Sequence, residues 1–380
     1  MRELALDEVF PRVAEIVADV RARGDEALLD WSERLDGGRP AAIRVPDAEI
    51  EAARLDEASL DAVRRLAAAV EAVHAVQRPS DTTVSPVPGI VVERRFRPLD
   101  SVGIYVPGGR AALVSSLVMT AVPARVAGVQ RIVVATPGGA EAVLATAHEL
   151  GIEEVYAVGG AQAVAAFAYG TETIPAVDKI VGPGSRWVTA AKLLVSSAVA
   201  IDLPAGPSEV LVIADDSADP AECAADLLAQ AEHGPDSEAI LVTTSRALAD
   251  DVATRVGGRA QIELVGSLAE AVERAHAYAP EHLELLVADP EALAGEIKNA
   301  GSVFLGTTAV LGDYACGANH VLPTGGLARG LGGLGLEAFL KPIQYVRATA
   351  EGLAAVRETV EALAGLEGLP LHAAAVSVRA

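Results

Sequence analysis

The stretch Val102-Gly-Ile-Tyr-Val-Pro-Gly-Gly109, followed by an apolar run over residues 111–127, decides the fold of this chain. Val, Ile and Tyr are residue types that favour a β-strand, and the Pro-Gly-Gly sequence ends that strand in a tight turn. The run that follows has the length and character of a helix. A strand, a glycine turn and a helix in this order predict one crossover unit of a parallel sheet.

The same order of strand, glycine turn and helix recurs downstream. Strands are predicted at residues 131–136, 155–158 and 179–181, and each runs into a glycine-containing turn before a helix. In a parallel sheet such turns meet at one edge, where ligands bind and where helix N-termini favour phosphate. None of the turns reads G-x-G-x-x-G with an acid roughly twenty residues later, so the usual dinucleotide fingerprint is absent. The alternative for any one of these glycines is a tight turn without a ligand.

A second run of α/β elements follows, with strands predicted at residues 210–214, 239–243, 261–265, 283–287 and 302–305. The sequence therefore predicts two Rossmann-like parallel-sheet α/β domains that lack G-x-G-x-x-G, with a helical C-terminal extension. We expect residues 1–101, which include N-terminal helices, to form one discontinuous domain with residues 209–334. Residues 102–208 are expected to be the inserted second domain, and residues 335–380 to be mostly helical.

The chain is strongly acidic: its 380 residues carry a formal net charge of −22, and the acidic residues are spread throughout. Nucleic acid requires a basic surface on its partner, so we expect no nucleic-acid binding. Hydrophobic residues make up 51% of the chain and aromatic residues only 3%, which predicts a sizeable core packed from Ala, Val and Leu. An acidic surface suits a cationic small substrate, although solubility explains it equally well.

The cysteine content and the N-terminus indicate a cytoplasmic location. Cys223 and Cys316 form no C-x-x-C pair, which is typical of a protein from a reducing compartment. The first residues, Met1-Arg-Glu-Leu-Ala-Leu-Asp-Glu8, carry acids where a signal peptide has an apolar core. The apolar stretch over residues 111–124 is interrupted by hydroxyl residues and is too short to span a bilayer. We therefore expect a soluble cytoplasmic protein without a membrane segment.

The stretch Gln230-Ala-Glu-His-Gly-Pro-Asp-Ser237 closes a helix predicted over residues 219–232. Gln230 and His233 stand three residues apart, so they project from the same side of the helix end, and the Gly-Pro sequence stops the helix there. An amide oxygen and an imidazole presented together are able to hold a metal ion, but two protein ligands are too few, so others must come from elsewhere. The alternative for this histidine is an interaction with the helix dipole.

Two more segments carry chemically active side chains. Pro280-Glu-His-Leu283 lies between a predicted helix and a predicted strand, and residues 312–324 form a glycine-rich loop after a strand. Glu281 and His282 are suited to general acid–base catalysis, because histidine titrates near neutrality and a glutamate is able to order a water molecule. The alternative for each of them is a capping or surface role. The histidines at the ends of predicted elements are His233, His282, His320 and His372.

These motifs follow one another in an order that resembles the histidinol dehydrogenase family along nearly the whole chain. The matching runs in the first half are Tyr105-Val-Pro-Gly-Gly109, Gly159-Gly-Ala-Gln-Ala163 and Asp178-Lys-Ile-Val-Gly-Pro-Gly184. Those in the second half are Pro204-Ala-Gly-Pro-Ser-Glu209, Gln230-Ala-Glu-His-Gly-Pro-Asp-Ser237, Pro280-Glu-His-Leu283 and Asn319-His-Val-Leu-Pro-Thr324. The resemblance implies a zinc-dependent enzyme of histidine biosynthesis that oxidises L-histidinol to L-histidine with two NAD molecules, through bound L-histidinaldehyde.

The resemblance also implies a role for particular residues of this chain. The ligands of one zinc ion per subunit would be Gln230, His233, Asp313 and His372, a nitrogen–oxygen set that is chemically sensible for zinc. The catalytic acid–base pair would be Glu281 and His282. Besides the metal ligands, the residues in contact with the substrate would be Ser208, His282, His320 and Glu367. The residues in contact with NAD would be Tyr105, Gln162 and Ser185.

Family members form a homodimer whose C-terminal segment crosses to the other subunit, so the resemblance implies that residues 335–380 serve dimerisation. Glu367 and His372 would then complete the site of the partner. The chain departs from the family at Ser185, which replaces the Asn of Gly-Pro-Gly-Asn and has no amide to offer NAD. We also expect the family's small N-terminal segment to be missing and residues 244–262 to be a shortened region. Residues 325–335 are unusually rich in glycine.

Three other functions stay open at this point. The first is a zinc- and NAD-dependent dehydrogenase of the same fold for another primary alcohol, although the presence of His320 and Glu367 favours histidinol. The second is a zinc hydrolase in which Glu281 activates water, which the glycine turns and the residues Tyr105 and Gln162 disfavour. The third is a catalytically inactive binding protein, which the presence of every acid–base and metal position disfavours.

Overall fold

The computed structural model describes residues 6–108 and 113–379 of the chain. Two predicted features, part of the turn after Val106 and the start of the helix over residues 111–127, fall partly outside these ranges. The helices of the described residues are α1 Phe10–Arg23, α2 Asp25–Leu35, α3 Asp47–Ala52, α4 Glu57–Ala75, α5 Val114–Ala127, α6 Glu141–Glu149, α7 Gly160–Tyr169, α8 Arg186–Val195, α9 Pro220–Ala231, α10 Arg246–Val256, α11 Leu268–Tyr278, α12 Pro290–Ala294, α13 Val310–Tyr314, α14 Ala350–Leu366 and α15 Pro370–Ser377.

The strands alternate with these helices over most of the chain. In chain order they are β1 Thr82–Val87, β2 Ile90–Pro98, β3 Ser101–Tyr105, β4 Arg131–Ala135, β5 Glu154–Tyr156, β6 Lys179–Val181, β7 Ala200–Ile201, β8 Glu209–Ala214, β9 Glu238–Thr243, β10 Gln261–Leu264, β11 His282–Leu286, β12 Ser302–Leu305 and β13 Leu340–Ala348. Every strand predicted from the glycine turns is present.

Two five-stranded sheets organise the molecule, and both have the same topology. The first sheet has the order β5-β4-β3-β6-β7 and the second has the order β10-β9-β8-β11-β12. All neighbouring strands within each sheet are parallel. In each sheet the chain starts at the central strand, moves outward, and then returns to the other side, which is the 3-2-1-4-5 part of a Rossmann order. The predicted fold class is therefore confirmed.

Helices cover both faces of the first sheet, because alternate residues of its strands point to opposite sides. Val102 and Ile104 of β3 belong to the core that includes α3 to α6. Val133 of β4 and Tyr105 belong to the opposite core, which contains α1, α2, α7 and α8. The N-terminal helices α1 and α2 thus pack on the sheet of residues 101–201, whereas the predicted division grouped them with residues 209–334. The domain division itself stays a prediction.

The second sheet is also sandwiched between helices, and this arrangement sets the direction of its functional side chains. Val210 and Val212 of β8 pack against α9 and α10, while Leu211 and Ile213 pack against α11 on the other face. β11 pairs with β8 so that His282 lies beside Val210. Successive strand residues alternate in direction, so His282 and Glu284 point to the face that α9 covers.

A third, antiparallel sheet contains β13, an unpredicted strand within residues 335–380, which are otherwise mostly helical as predicted. It has the order β1-β2-β13, and β13 pairs with β2 along nine residue pairs from Leu340 to Ala348. Neither β1 nor β13 shows the alternation of apolar and polar residues by which a strand is recognised, because most of their residues are exposed. Glu93 of β2 joins β2 to β13 through an ion pair with Arg347, and it also pairs with Arg95 of its own strand.

The last two helices are as predicted, but they leave much apolar surface uncovered. α14 buries only Gly352 and Ala364, and α15 buries none of its own residues. Leu366 and Leu371 are 84% and 82% exposed in the single chain. Apolar surface of this size on a helical hairpin is typical of a protein–protein contact. Among the helices of the described residues, none combines the length and apolar character that crossing a membrane requires.

Candidate active site

A cleft of ≈ 700 Å³ lies between the carboxyl end of the first sheet and the α9 side of the second sheet. Gly108 and Leu113, which follow β3, line it from the first sheet. The chemically active side chains that line it come from the second half of the chain: Asp226, Gln230, Glu232, His233, His282, Glu284, Asp313 and Tyr314. Four of the sequence-predicted site residues therefore meet in one cavity.

Helix α9 delivers Gln230 and His233 to this cleft. Asp219 caps the helix by accepting a hydrogen bond from the Ala221 N–H at 2.7 Å, and the buried residues of the helix face the sheet. Gln230, in the last turn, is 6% exposed. His233 lies just beyond the helix end, exposed, with Nδ1 3.2 Å from the Gln230 carbonyl oxygen. The predicted same-side projection of these two side chains is consistent with their common place in the cleft wall.

Glu281 and His282 are held at the amino-terminal end of β11. The Oε2 atom of Glu281 accepts hydrogen bonds from the Ser208 hydroxyl and from the Glu209 N–H, both at 2.8 Å. His282 Nδ1 lies 3.2 Å from the Glu209 carbonyl oxygen and 3.5 Å from Glu281 Oε2. A carbonyl oxygen only accepts, so Nδ1 carries the proton. His282 Nε2 is buried and has no hydrogen-bond partner among the described residues.

The charges around His282 make its imidazole unusually basic in the single chain. Burial lowers the pKa of His282, but the charge of Glu281, its hydrogen bond and the charge of Asp313 outweigh burial and raise the pKa to about 9. A cation entering the cleft next to Asp313 would oppose this increase.

Asp313 connects the cleft to His320. Its Oδ1 atom lies 3.5 Å from His320 Nδ1, and His320 Nε2 lies 3.3 Å from the Ser116 hydroxyl of α5. Burial raises the pKa of Asp313, but the hydrogen bond with His320 and the charges of His282 and His233 lower it below its usual value. Three histidines therefore influence the Asp313 carboxylate, and the structure brings these four predicted residues close together.

Two carboxyl groups that sequence reasoning missed also line the cleft. Glu284 of β11 is 1% exposed, and its Oε1 atom accepts a hydrogen bond from the Ala309 N–H at 2.6 Å. Burial and the charge of Asp226 raise the pKa of Glu284 to about 8, and burial also raises the pKa of Asp226. A pair of this kind shares a proton at neutral pH. The sequence feature that could have revealed Glu284 is a charged residue inside the otherwise apolar strand that begins at His282.

Tyr105 and Gln162, the two predicted NAD contacts of the first sheet, lie together at its carboxyl edge. Tyr105 ends β3, and its hydroxyl oxygen accepts a hydrogen bond from the Gly160 N–H at 3.2 Å. Burial raises the pKa of Tyr105 to about 12, so its hydroxyl keeps its proton. Gln162 is fully buried in the first turn of α7. Ser185 is the N-cap residue of α8 and is exposed.

A buried ion pair fixes the turn that leads to Ser185. Lys192 of α8 pairs with Asp202 and donates to the carbonyl oxygens of Gly182 and Leu203, both at 3.1 Å. Asp202 also accepts from the Gly182 N–H at 2.8 Å. Gly182 has φ +112°, and a side chain there would collide with the backbone of Tyr105. The turn is therefore rigid and packed directly against the end of β3.

Glu367 and His372 are not brought to the cleft within one chain. Glu367 follows α14, His372 lies on α15, and both are exposed. Ser208, Glu281 and His320 do not line the cleft themselves but contact residues that do. Ser208 contacts Gln230 at 3.4 Å, Glu281 adjoins His282, and His320 adjoins Asp313. Across residues 6–108 and 113–379, no three His, Cys, Asp or Glu side chains group closely enough to hold a metal ion by themselves.

Comparison with known proteins identifies the family of this chain. The family model described as histidinol dehydrogenase matches residues 1–380. A histidinol dehydrogenase from Thermobifida fusca (strain YX) is 44% identical over 99% of this chain and 93% of that protein. One from Methanothermobacter thermautotrophicus is 46% identical over 97% of this chain and 93% of that protein.

A solved structure agrees with these sequence matches. The crystal structure of histidinol dehydrogenase from Elizabethkingia anophelis superimposes with a TM-score of 0.93 at 37% identity, covering 100% of this chain and 94% of the other. Sequence and fold therefore match over nearly the whole length of the chain. The chain belongs to the histidinol dehydrogenase family.

Proposed function

We propose that this protein, an oxidoreductase of that family, oxidises L-histidinol to L-histidine through L-histidinaldehyde, using two NAD molecules and one zinc ion per subunit. The observation that carries the proposal is the arrangement of Glu281 and His282, buried side by side at the cleft with His282 Nε2 free to accept a proton. Both cysteines are free, which suits the reducing cytoplasm in which we expect the enzyme to work.

The donor set in the cleft fits zinc, but one chain provides only part of it. Gln230, His233 and Asp313 line the same cavity, and they offer the amide oxygen, imidazole nitrogen and carboxylate oxygen that zinc accepts. The Gln230 amide is held only by a long contact of 3.4 Å from the Ser208 hydroxyl, so its oxygen is available. When bound, the zinc ion would orient the substrate through its amino and imidazole nitrogens, as the family resemblance implies.

The side chains of this protein would move the protons. Oxidation of an alcohol requires a base for the hydroxyl proton while a hydride departs to NAD. His282 is suited to be that base, because its Nδ1 is committed to the Glu209 carbonyl and its Nε2 is free. The aldehyde must then add water before the second oxidation. Glu281, which is fixed by two hydrogen bonds, is suited to activate that water.

The cofactor would enter from the first sheet. Tyr105 and the turn at Gly182 lie at the carboxyl ends of β3 and β6, where the order of strands reverses and where open α/β sheets bind nucleotides. Gly108, which follows β3, lines the same cleft as His282. A nicotinamide placed there would face the substrate across the cavity. Ser185 would contribute a hydroxyl in place of the family's amide.

We further propose a homodimer in which each C-terminal segment completes the partner's site. Three of four metal ligands line the cleft, whereas His372 and Glu367 are exposed on the hairpin of α14 and α15. The hairpin also exposes Leu366 and Leu371 almost completely, and a second copy that covers them would remove apolar surface from water. The missing ligand and the uncovered surface therefore have one common explanation.

The proposed reaction has a direct test. Zinc-loaded protein incubated with NAD and L-histidinol is expected to form two NADH per histidinol, measured by nicotinamide absorbance. A chelator should stop NADH formation and added zinc should restore it. The variant His233→Ala should lose most of its metal by elemental analysis, because one ligand of a chelate is gone. The proposal fails if no NADH appears, if only one forms per histidinol, or if His233→Ala keeps its full metal content.

The shared site predicts that two inactive variants complement each other. We expect His282→Asn and His372→Ala each to be inactive as pure dimers. In a mixed dimer one site combines an intact His282 with the partner's intact His372, so random subunit exchange should restore about a quarter of wild-type activity. Exchange is followed by native mass spectrometry on differently tagged chains. Mixed dimers that form and stay inactive would show that the site is not shared.

A further inference from the structure

Asp36 is the one acidic side chain of the N-terminal helices that reaches the predicted cofactor edge. It follows the last residue of α2, and its Oδ2 atom accepts hydrogen bonds from the Gly159 N–H and from Gln162 Nε2, both at 3.0 Å. These partners lie more than a hundred residues further along the chain. The contact is possible because α2 shares a hydrophobic core with α7.

This contact determines which way the Gln162 amide points. A carboxylate only accepts hydrogen bonds, so the amide nitrogen of Gln162 must face Asp36 and the amide oxygen must face away from it. That oxygen is buried, and no donor reaches it from the residues that the structure describes. A buried acceptor without a donor is energetically unfavourable. The Gln162 amide oxygen is therefore an oriented hydrogen-bond acceptor that is available to a donor from outside the described residues.

The surroundings of this acceptor suit a dinucleotide. Gly160 has φ +61°, and a side chain there would lie 2.6 Å from Gln162 Oε1, so only glycine leaves the oxygen open. The Tyr105 hydroxyl already accepts from the Gly160 N–H, which leaves its own proton free to be donated. An acceptor next to a donor matches the carboxamide of nicotinamide or the hydroxyl groups of a ribose. The N-terminal end of α7 is meanwhile occupied by the carboxylate of Asp36, so it is not open to a phosphate.

We propose that Asp36 is a positioning residue for the dinucleotide, and that it acts by fixing the Gln162 amide and the Gly159–Gly160 turn; the inference rests on the NAD dependence proposed above. Asp36 does not line the cleft that holds His282 and the proposed metal ligands. Its removal should therefore weaken NAD binding and leave histidinol binding and metal content unchanged. Burial raises the pKa of Asp36 above its usual value, although hydrogen bonds from the Gly159 N–H, Ser32 and Gln162 oppose this increase.

The matched control is Asp25 at the other end of the same helix. Its carboxylate accepts from the Thr173 N–H at 3.3 Å and from the Thr173 hydroxyl at 2.5 Å. Asp25 thus ties α2 to the same α/β domain as Asp36 does, but it has no contact with Gln162. A general loosening of α2 would appear equally in Asp25→Ala and Asp36→Ala. Only loss of the oriented Gln162 amide would weaken NAD binding in the Asp36 variant and not in the Asp25 variant.

The experiment measures NAD binding to the zinc-loaded protein by isothermal titration calorimetry, alongside thermal unfolding and steady-state kinetics. Asp36→Ala, which removes the acceptor of both hydrogen bonds, is expected to raise the Kd and the KM for NAD roughly tenfold, the size expected for one hydrogen bond to a charged group, with kcat and the KM for histidinol unchanged. Asp25→Ala should bind NAD like the wild type. In the Gln162→Ala background, Asp36→Ala should add little, since both changes remove the same oriented acceptor.

A charge exchange provides a second, independent readout. Gln162→Glu alone places two carboxylates together and should weaken NAD binding, whereas Asp36→Asn combined with Gln162→Glu restores a donor–acceptor pair and should recover part of it. An unchanged Kd in Asp36→Ala, an equal loss in Asp25→Ala, or additive losses in the double variant with Gln162→Ala would each overturn the inference. A wild-type holoenzyme that does not bind NAD would overturn the proposed function as well.

Discussion

Replacement of His282 by asparagine is expected to slow NADH formation from histidinol by roughly a hundredfold or more, the usual contribution of a general base. Asparagine is able to donate to the Glu209 carbonyl oxygen in place of Nδ1, so the strand entry should keep its structure. It offers no basic nitrogen where Nε2 now lies. The loss should therefore appear in the rate of the chemical steps and not in folding or metal content.

The pH dependence provides a second signature of the same residue. The base acts in its neutral form, so the wild-type rate should rise with pH as His282 loses its proton. In the metal-free single chain the pKa of His282 is raised to about 9, and cations bound in the cleft would lower it. The acidic limb of the pH–rate profile should disappear in His282→Asn.

A matched control is available on α11. His276 accepts a hydrogen bond from the Lys298 N–H at 3.1 Å through Nε2 and lies outside the cleft. His276→Asn should leave the rate and its pH profile unchanged. Rates near those of the wild type in His282→Asn, measured by stopped-flow absorbance at saturating NAD and histidinol, would show that another group is the base.

The first parallel sheet was predictable because β3, β4, β5 and β6 are each followed by a glycine turn, which is a local signal. β1 and β13 were not, because what identifies them is a pairing across the length of the chain. Leu340 pairs with Pro98 and Ala348 with Ile90, while the exposed residues of β13 include Lys341 and Arg347. Such a strand carries no period of its own, so the sequence predicts the helices of residues 335–380 but not β13.

The residues of the site were easier to predict from the sequence than the position of the site in the fold. Rules for open α/β sheets put ligands at the carboxyl ends of strands, and this agrees with the position of Tyr105. In the second sheet Glu281 and His282 instead lie at the amino-terminal ends of β11 and β8. No local pattern indicates this, because it depends on how the two sheets face each other across the cleft. The roles of the site residues stay predictions.

The residues that sequence reasoning missed share one property, which is that their partners are distant in the chain. Asp36 contacts Gln162, and Asp202 holds Gly182. The N-terminal helices showed no chemistry in the sequence, since an acid at the end of an amphipathic helix has the appearance of a solvated residue. Only the shared core of α2 and α7 brings this acid to the cofactor edge.

The second large effect is expected from Glu281→Gln, which should separate the two oxidations. Glutamine keeps the shape of glutamate, and its amide oxygen is able to accept from Ser208 and Glu209 N–H as the carboxylate now does. The negative charge beside His282 is lost. Because that charge is the largest influence raising the pKa of His282, the imidazole should lose its proton at lower pH, and removal of the alcohol proton should survive at neutral pH.

The rate of aldehyde oxidation should fall further than the rate of alcohol oxidation, because the aldehyde must first be hydrated and glutamine cannot take a proton from water. We expect aldehyde oxidation by Glu281→Gln to fall by roughly a hundredfold, clearly more than alcohol oxidation, with zinc still bound. Single-turnover NADH formation is measured separately from histidinol and from histidinaldehyde. Glu263→Gln, which alters an ion pair with Arg274 away from the cleft, serves as the control. Equal losses on both substrates would show that Glu281 and His282 act together in both steps, since a residue needed only for hydration cannot slow a reaction that involves no water.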